Sequence, residues 1–209
     1  MLFRAEAETL DIAKHLDTII RDPVNGSQVD VISNSVESRK NPNHLSFECP
    51  ESELSFHTDY PNLDTPPRFV LLRCVSEGRQ PIATQYVSFI NFRHRKLAET
   101  LLREPWLMQT RAGRWKPCRV LGFSEHGAPL VRFSSNVMRP FFPRSSELCA
   151  LATGAHEYFP VREFILTCGD FLLLDNWSGL HRRTAASAYE SGSHFNGTTH
   201  RVLERVLLG

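Results

Sequence analysis

The chain has 209 residues, 41% of them hydrophobic and 22% charged, and a formal net charge of +1. That length supports one domain with a core that needs no disulfide staples, and no run of Lys or Arg points to nucleic acid or an anionic membrane surface. Five cysteines (Cys49, Cys74, Cys118, Cys149, Cys168) form no C-x-x-C pair, the start carries no apolar leader and no stretch is long enough to span a bilayer, so a cytoplasmic protein with reduced thiols is expected.

Residues 7–21 place Leu10, Ala13, Leu16 and Ile20 on one stripe, which predicts an amphipathic helix stopped before Pro23. From residue 25 to 50 the composition turns polar. A short strand at Val29-Asp30-Val31-Ile32 and then a loop are expected, and that loop is open to service as a lid. Leu54 to Tyr60 reads as a strand, and Pro66-Pro67 breaks the chain after it. Phe69 to Val75 is a buried-strand run, and Ile82 to Phe92 is another.

Residues 93–104 predict a helix ended by Pro105, with Leu97, Leu101 and Leu102 inward. Short apolar runs between Gly and Pro turns over 106–142 read as β structure, and 145–152 as a helix. Phe164-Ile165-Leu166, the turn Gly169-Asp170 and Phe171 to Leu174 read as a hairpin feeding a buried strand. Residues 187–200 are a polar surface loop, and 201–208 close the chain as a strand or short helix that periodicity does not decide. Many short strands and few helices suggest a mainly β barrel or sandwich with flanking helices.

One stretch carries chemistry. In a strand, residues two apart point the same way, so His57 and Asp59 share a face. Imidazole with carboxylate suits Fe(II), and a second, distant histidine would complete a 2-His-1-carboxylate site. Composition alone yields roughly one His-x-(Asp/Glu) by chance. Two occur, and His15-Leu16-Asp17 lies in the helical stretch, where such residues diverge. Taken alone, His57 also reads as a core histidine and His181 as a surface one.

The run His57-Thr58-Asp59-Tyr60, then Pro66-Pro67-Arg68-Phe69-Val70-Leu71-Leu72-Arg73-Cys74, resembles the first metal motif of the taurine dioxygenase/clavaminate synthase family. Gly169-Asp170 with its apolar strand, Asp175-Asn176, His181-Arg182-Arg183-Thr184 and Arg201-Val202-Leu203-Glu204-Arg205 resemble the second. The likeness spans about 54–92 and 164–207. The usual Gly-Gly before the threonine is replaced by Arg79-Gln80-Pro81-Ile82-Ala83, and the stretch between His181 and Arg201 is long for the family.

The resemblance implies a double-stranded β-helix (jelly-roll, cupin-like) over 51–209, and the N-terminal helix and possible lid read from pattern and composition make up 1–50. It implies a single Fe(II)- and 2-oxoglutarate-dependent dioxygenase domain. Dioxygen is the co-substrate, succinate and CO2 are products, and a small molecule, plausibly an amino acid or derivative, is oxidised at a C–H bond. His57, Asp59 and His181 would be the metal ligands. Arg201 would pair with the distal carboxylate of 2-oxoglutarate, a guanidinium fork suiting that group, and Thr84 would hydrogen-bond it. Arg205, on the same side as Arg201, would reach the other end of the keto-acid or an acidic group on the substrate.

Asp59 itself argues against halogenation, for which relatives replace the carboxylate by a small residue. Glu53 and Ser55 share strand parity with His57 and are candidate substrate contacts, as is Arg139, whereas Trp177 and Tyr60 read as packing. Two other readings stay open: a non-catalytic metabolite-binding β-helix, and a zinc hydrolase on the same three ligands.

Overall fold

The computed structural model describes residues 1–33, 53–78, 81–88, 99, 101–142, 159–185 and 201–209. The expectations for 34–52, 89–92, 145–152 and 187–200, and most of the 93–104 helix, fall outside the described residues. At 101–103 the backbone is helical, as expected.

Strand β1 (Leu2–Arg4) and helix α1 (Thr9–Leu16) open the chain. The helix is shorter than its hydrophobic stripe predicted. Asp17 turns extended and accepts the Thr18 N–H on its own carboxylate at 2.7 Å. Ile19–Ile20 then form β2 instead of a further turn, because β-branched residues pack well along a sheet edge. β3 is Asp30–Ser33, as expected.

Beyond these lie β4 (Phe69–Ser76), β5 (Ala83–Ser88), β6 (Trp106–Gln109), β7 (Trp115–Cys118), β8 (Leu121–Phe123), β9 (Pro129–Val131) and β10 (Met138–Pro140). The last four are β11 (Val161–Ile165), β12 (Asp170–Asp175), β13 (Gly179–Arg183) and β14 (Val202–Leu208). The closing segment is thus a strand.

The large sheet runs β1-β12-β4-β14-β2, with β3 also paired to β14, and a smaller sheet runs β11-β5-β13. β6 joins β10 to β7, and β8 pairs with β9. All these pairings are antiparallel.

Consecutive strands change sheets: β4 lies in the large sheet, β5 in the small one, then β11 small, β12 large, β13 small and β14 large. That winding is a double-stranded β-helix. It also corrects the expected hairpin at 164–174. β11 pairs with β5 and β12 with β4, so the Gly169-Asp170 turn carries the chain across from one sheet to the other. A run of apolar residues on either side of a turn says that both flanks are buried, not that they pair. The turn is closed by Asp170, whose carboxylate accepts the Thr167 N–H and hydroxyl, both at 2.8 Å, while Gly169 takes a φ of +87°.

The large sheet is buried on both faces, which explains the continuous apolar runs of β4, β12 and β14. Val70, Leu72, Cys74, Leu172, Leu174, Leu203 and Leu207 pack toward the small sheet. Leu71, Phe171, Val206 and Leu208 pack outward with Ala13 of α1 and Phe3. A third cluster, with Phe56, Val87, Trp106, Met108, Phe133 and Leu180, fills the space between the small sheet and β6 to β10. No helix among the described residues is long and apolar enough to cross a membrane.

Candidate metal centre and its cavity

His181 projects from β13, whose neighbour Leu180 faces the core. β13 can lie tightly on β5 because position 179 is glycine. A Cβ there would stand 2.3 Å from the Val87 carbonyl oxygen and 2.5 Å from the Tyr86 ring hydroxyl. His57 joins the opposite edge of β13 through an isolated bridge, each histidine donating its backbone N–H to the other's carbonyl at 2.9 Å. The Leu54 N–H adds a bond to the Arg183 carbonyl at 3.0 Å.

The expected strand from Leu54 to Tyr60 is therefore replaced by an irregular segment that touches the small sheet at one residue. Asp59 turns toward the histidines for a different reason than strand parity. Its N–H donates to Asn176 Oδ1 at 2.8 Å, and Asn176 Nδ2 donates back to the Asp59 carbonyl at 3.1 Å and to Pro67 at 2.9 Å. Tyr60 then takes a φ of +51°. Asn176 is fully buried and staples the ligand loop to the turn before β13. In the sequence Asp175-Asn176 stood only as part of the second motif, with no role assigned to Asn176.

His57 Nε2 and His181 Nε2 each lie 3.7 Å from Asp59 Oδ1, and the ring centroids are 4.5 Å apart. The three donor atoms all fall within 4.8 Å of one another. His57 Nδ1 sits 2.8 Å from the Ser55 carbonyl, which requires the proton on Nδ1 and leaves the Nε2 lone pair facing Asp59. Two imidazole nitrogens and one carboxylate oxygen in a buried concavity fit a divalent first-row ion with three positions left open.

Burial, together with the neighbouring His181, pushes the His57 pKa down from 6.5 to about 4, against the opposing pull of Asp59 and the Ser55 carbonyl. Asp59 is held well below the usual carboxylate range. Burial opposes this, but the Arg205 guanidinium and the two histidines outweigh it. Near neutral pH His57 and Asp59 are thus already in the forms a metal binds.

Between pH 6.5 and about 4 the unfolded chain protonates His57 and the folded one does not, so the metal-free protein loses up to about 3 kcal/mol as pH falls through that window, and none from this group above it. Thermal melts in chelator at pH 7.5 and 5 check this. A midpoint that does not fall, or that falls as far in His57→Gln, contradicts it.

The triad opens into a cavity of about 760 Å³. Arg201 and Thr84 line it together, both buried. Arg201 Nη1 donates to the Ile82 carbonyl at 3.0 Å and Nη2 to Thr84 Oγ1 at 3.3 Å, so the long stretch after His181 does not shift its register away from Thr84. Its Nε is buried without a partner, and no carboxylate among the described residues pairs with it. Burial brings the Arg201 pKa down to about 10, and the nearby Arg183, also in the cavity wall, adds to that.

Arg205 lines the same cavity but is engaged. Nη1 donates to Asp59 Oδ2 at 3.1 Å, and Nη2 to Asp30 Oδ2 at 2.8 Å, Tyr60 Oη at 3.1 Å and Asp22 Oδ2 at 3.3 Å. Sequence reasoning missed Asp22 and Asp30 and took Tyr60 for packing. Asp30 faces Arg205 across the β3–β14 pairing, and no local motif marks it.

The other three expected contacts lie elsewhere. Glu53 is half exposed and pairs with Arg182, and Ser55 is exposed, contributing its carbonyl to His57. Neither lines the cavity, because the parity that placed them there needs a strand that does not form. Arg139 on β10 stacks over Trp115, 4.1 Å from the ring centroid, away from the cavity wall. His15 sits on α1 and is exposed, so His15-Leu16-Asp17 is not a ligand pair.

Solved structures share this fold. Asparagine oxygenase in complex with Fe(II), 2S,3S-3-hydroxyasparagine and succinate is 18% identical, with a TM-score of 0.63 over 88% of this chain and 57% of that one. The non-heme iron oxygenase OrfP in complex with Fe and alpha-ketoglutaric acid is 18% identical, with a TM-score of 0.65 over 94% of this chain and 62% of that one. A taurine dioxygenase from Burkholderia xenovorans is 16% identical, with a TM-score of 0.62 over 95% and 70%. The chain spans 57% and 56% of the length of the two asparagine oxygenase structures. No family model and no curated protein sequence matches it.

Proposed function

We propose that the chain is an Fe(II)- and 2-oxoglutarate-dependent oxygenase, acting as a single cytoplasmic domain that oxidises a C–H bond of a small molecule. The carrying observation is one cavity that joins the convergent donors of His57, Asp59 and His181 to a buried arginine lacking a carboxylate partner among the described residues. Bound at the three donors, Fe(II) supplies dioxygen activation coupled to conversion of 2-oxoglutarate into succinate and CO2, with one oxygen atom left for the substrate.

The chain's own residues do the holding. Arg201 and the Thr84 hydroxyl take the distal carboxylate of the keto-acid, a charge-assisted contact that replaces water lost on burial. The Ser55 carbonyl keeps His57 in the binding tautomer. Leu72, Leu203 and Ile32 in the cavity wall limit water around the reacting groups. An amino acid or derivative as substrate is supported by the fold shared with asparagine oxygenase. Free Cys74, Cys118 and Cys168 suit a reducing compartment.

The test is succinate formation by protein reconstituted with Fe(II) under air, across a panel of amino acids. Turnover that requires iron, 2-oxoglutarate and dioxygen together is the expected result. Hydrolysis of a panel compound with zinc and no keto-acid would overturn it. Glu53→Ala, which removes a half-exposed carboxylate outside the cavity wall while Gln85 still holds Arg182, leaves the KM of the true substrate unchanged, and a rise in KM would return Glu53 to the site.

A further inference from the structure

The resemblance casts Arg205 as a ligand-binding arginine, yet both of its terminal nitrogens are already committed to the chain's own groups, and Nε is buried without a partner among the described residues. A keto-acid or substrate carboxylate approaching it would face Asp22, Asp30 and Asp59 at once. These acids are not incidental neighbours. Asp22 is anchored by the Val24 and Asn25 N–H groups on Oδ1, at 2.8 and 3.2 Å, and its Oδ2 accepts the Tyr60 hydroxyl. Asn25 Nδ2 in turn holds Asp30 Oδ1 at 3.2 Å. Asp22, Asp30 and Asp59 are each under 10% exposed, and the Tyr60 ring lies under the guanidinium, 5.3 Å from centroid to Cζ. The guanidinium is therefore pinned from two sides by a segment of chain that precedes the metal motif.

We propose that Arg205 is a positioning residue for the metal carboxylate, gripping Asp59 Oδ2 while Asp22, Asp30 and Tyr60 fix the guanidinium, so that Oδ1 alone is turned toward the two histidine nitrogens. The inference rests on the metal-centre reading above and departs from the role expected for the second arginine. Charge supports it. Three carboxylates share the Arg205 guanidinium, an acidic setting that a divalent cation at the neighbouring triad complements. Asp22 and Asp30 thereby contribute to metal affinity without touching the metal, and the N-terminal segment that carries them becomes part of the centre.

The test is a Co(II) titration of the whole chain without keto-acid, read by the visible absorption bands that report ligand number, followed by 2-oxoglutarate binding at saturating metal. Wild type is expected to bind Co(II) and His181→Ala not to. Arg205→Lys keeps the charge but loses the fork, and Asp30→Asn keeps the shape but loses the charge. Each should weaken Co(II) by about 10-fold or more and change the band intensity, with 2-oxoglutarate affinity at saturating metal unchanged. Wild-type Co(II) affinity and spectrum in both variants overturns the proposal, as does a loss confined to 2-oxoglutarate binding. Co(II) binding that ignores His181→Ala overturns the metal-centre reading itself and is recognised separately. Asp30→Asn carries the test should Arg205→Lys fail to fold.

Discussion

Replacing His181 by alanine is expected to abolish iron-dependent turnover while leaving the fold in place. The two bonds that His181 exchanges with His57 come from the backbone, so alanine keeps both and the ligand loop stays on β13. What is lost is one of two nitrogens lying 3.7 Å from Asp59 Oδ1, and two ligands do not hold an ion that three were arranged for. Outer partners of a metal ligand are commonly worth 10–100-fold in affinity, so removing a ligand should cost more than about 100-fold. Metal titration of the variant, beside a thermal melt in chelator, separates this from unfolding. Near-wild-type turnover in His181→Ala would remove the proposed centre. His126, exposed beside Glu125, is the matched control, and its alanine variant should behave as wild type.

The second large effect is a trade at Arg201. Arg201→Met should weaken 2-oxoglutarate binding by about 100-fold, the loss of roughly 3 kcal/mol from a charge-assisted pair. Metal affinity should be unchanged, because Arg201 makes no contact with the triad. The same variant should leave the ligand-free protein at least as stable as wild type. A buried guanidinium without a carboxylate is a net cost in the folded state, and its pKa, brought down to about 10 chiefly by burial, is the measure of that cost. A site that destabilises the empty protein and is satisfied by its ligand is the expected form of a binding residue. Calorimetry with and without 2-oxoglutarate checks both halves. If Arg201→Met melts well below wild type and still binds the keto-acid, Arg201 is structural. Thr84→Val should move binding the same way by less, since it removes one hydroxyl from the wall and no charge.

Residue chemistry and local spacing picked out the His57-x-Asp59 pair and called for a second, distant histidine, but only the family resemblance pointed to His181. The His57-x-Asp59 pair is short, and its decoy at His15 was separable because the stripe around it is helical. The buried character of β4, β12 and β14 was legible for a similar reason: apolar runs without alternation require cover on both faces. Arg201 and Thr84 were found through resemblance and then met in space at 3.3 Å.

Two of the misreadings have one source. Strand parity placed Glu53 and Ser55 in the cavity, and apolar runs around Gly169 suggested a hairpin, but both inferences assume a pairing partner that local sequence does not name. The Leu54–Tyr60 segment meets the small sheet at a single bridge, and the flanks of the Gly169 turn belong to different sheets.

The chain taken as a string determined which groups could bind a metal, which stretches had to be covered and that β structure would prevail, because these depend on side-chain type and on neighbours a few residues away. Only the folded arrangement decided what each charged group does. Asp30 meets Arg205 because β3 lies along β14, Asp22 joins them from the turn before β3, and Arg201 stays without a carboxylate partner among the described residues because of where β5 and β14 bring it. Electrostatic roles are set by distance and burial between residues remote in sequence, and those are properties of the packing rather than of the order of residues.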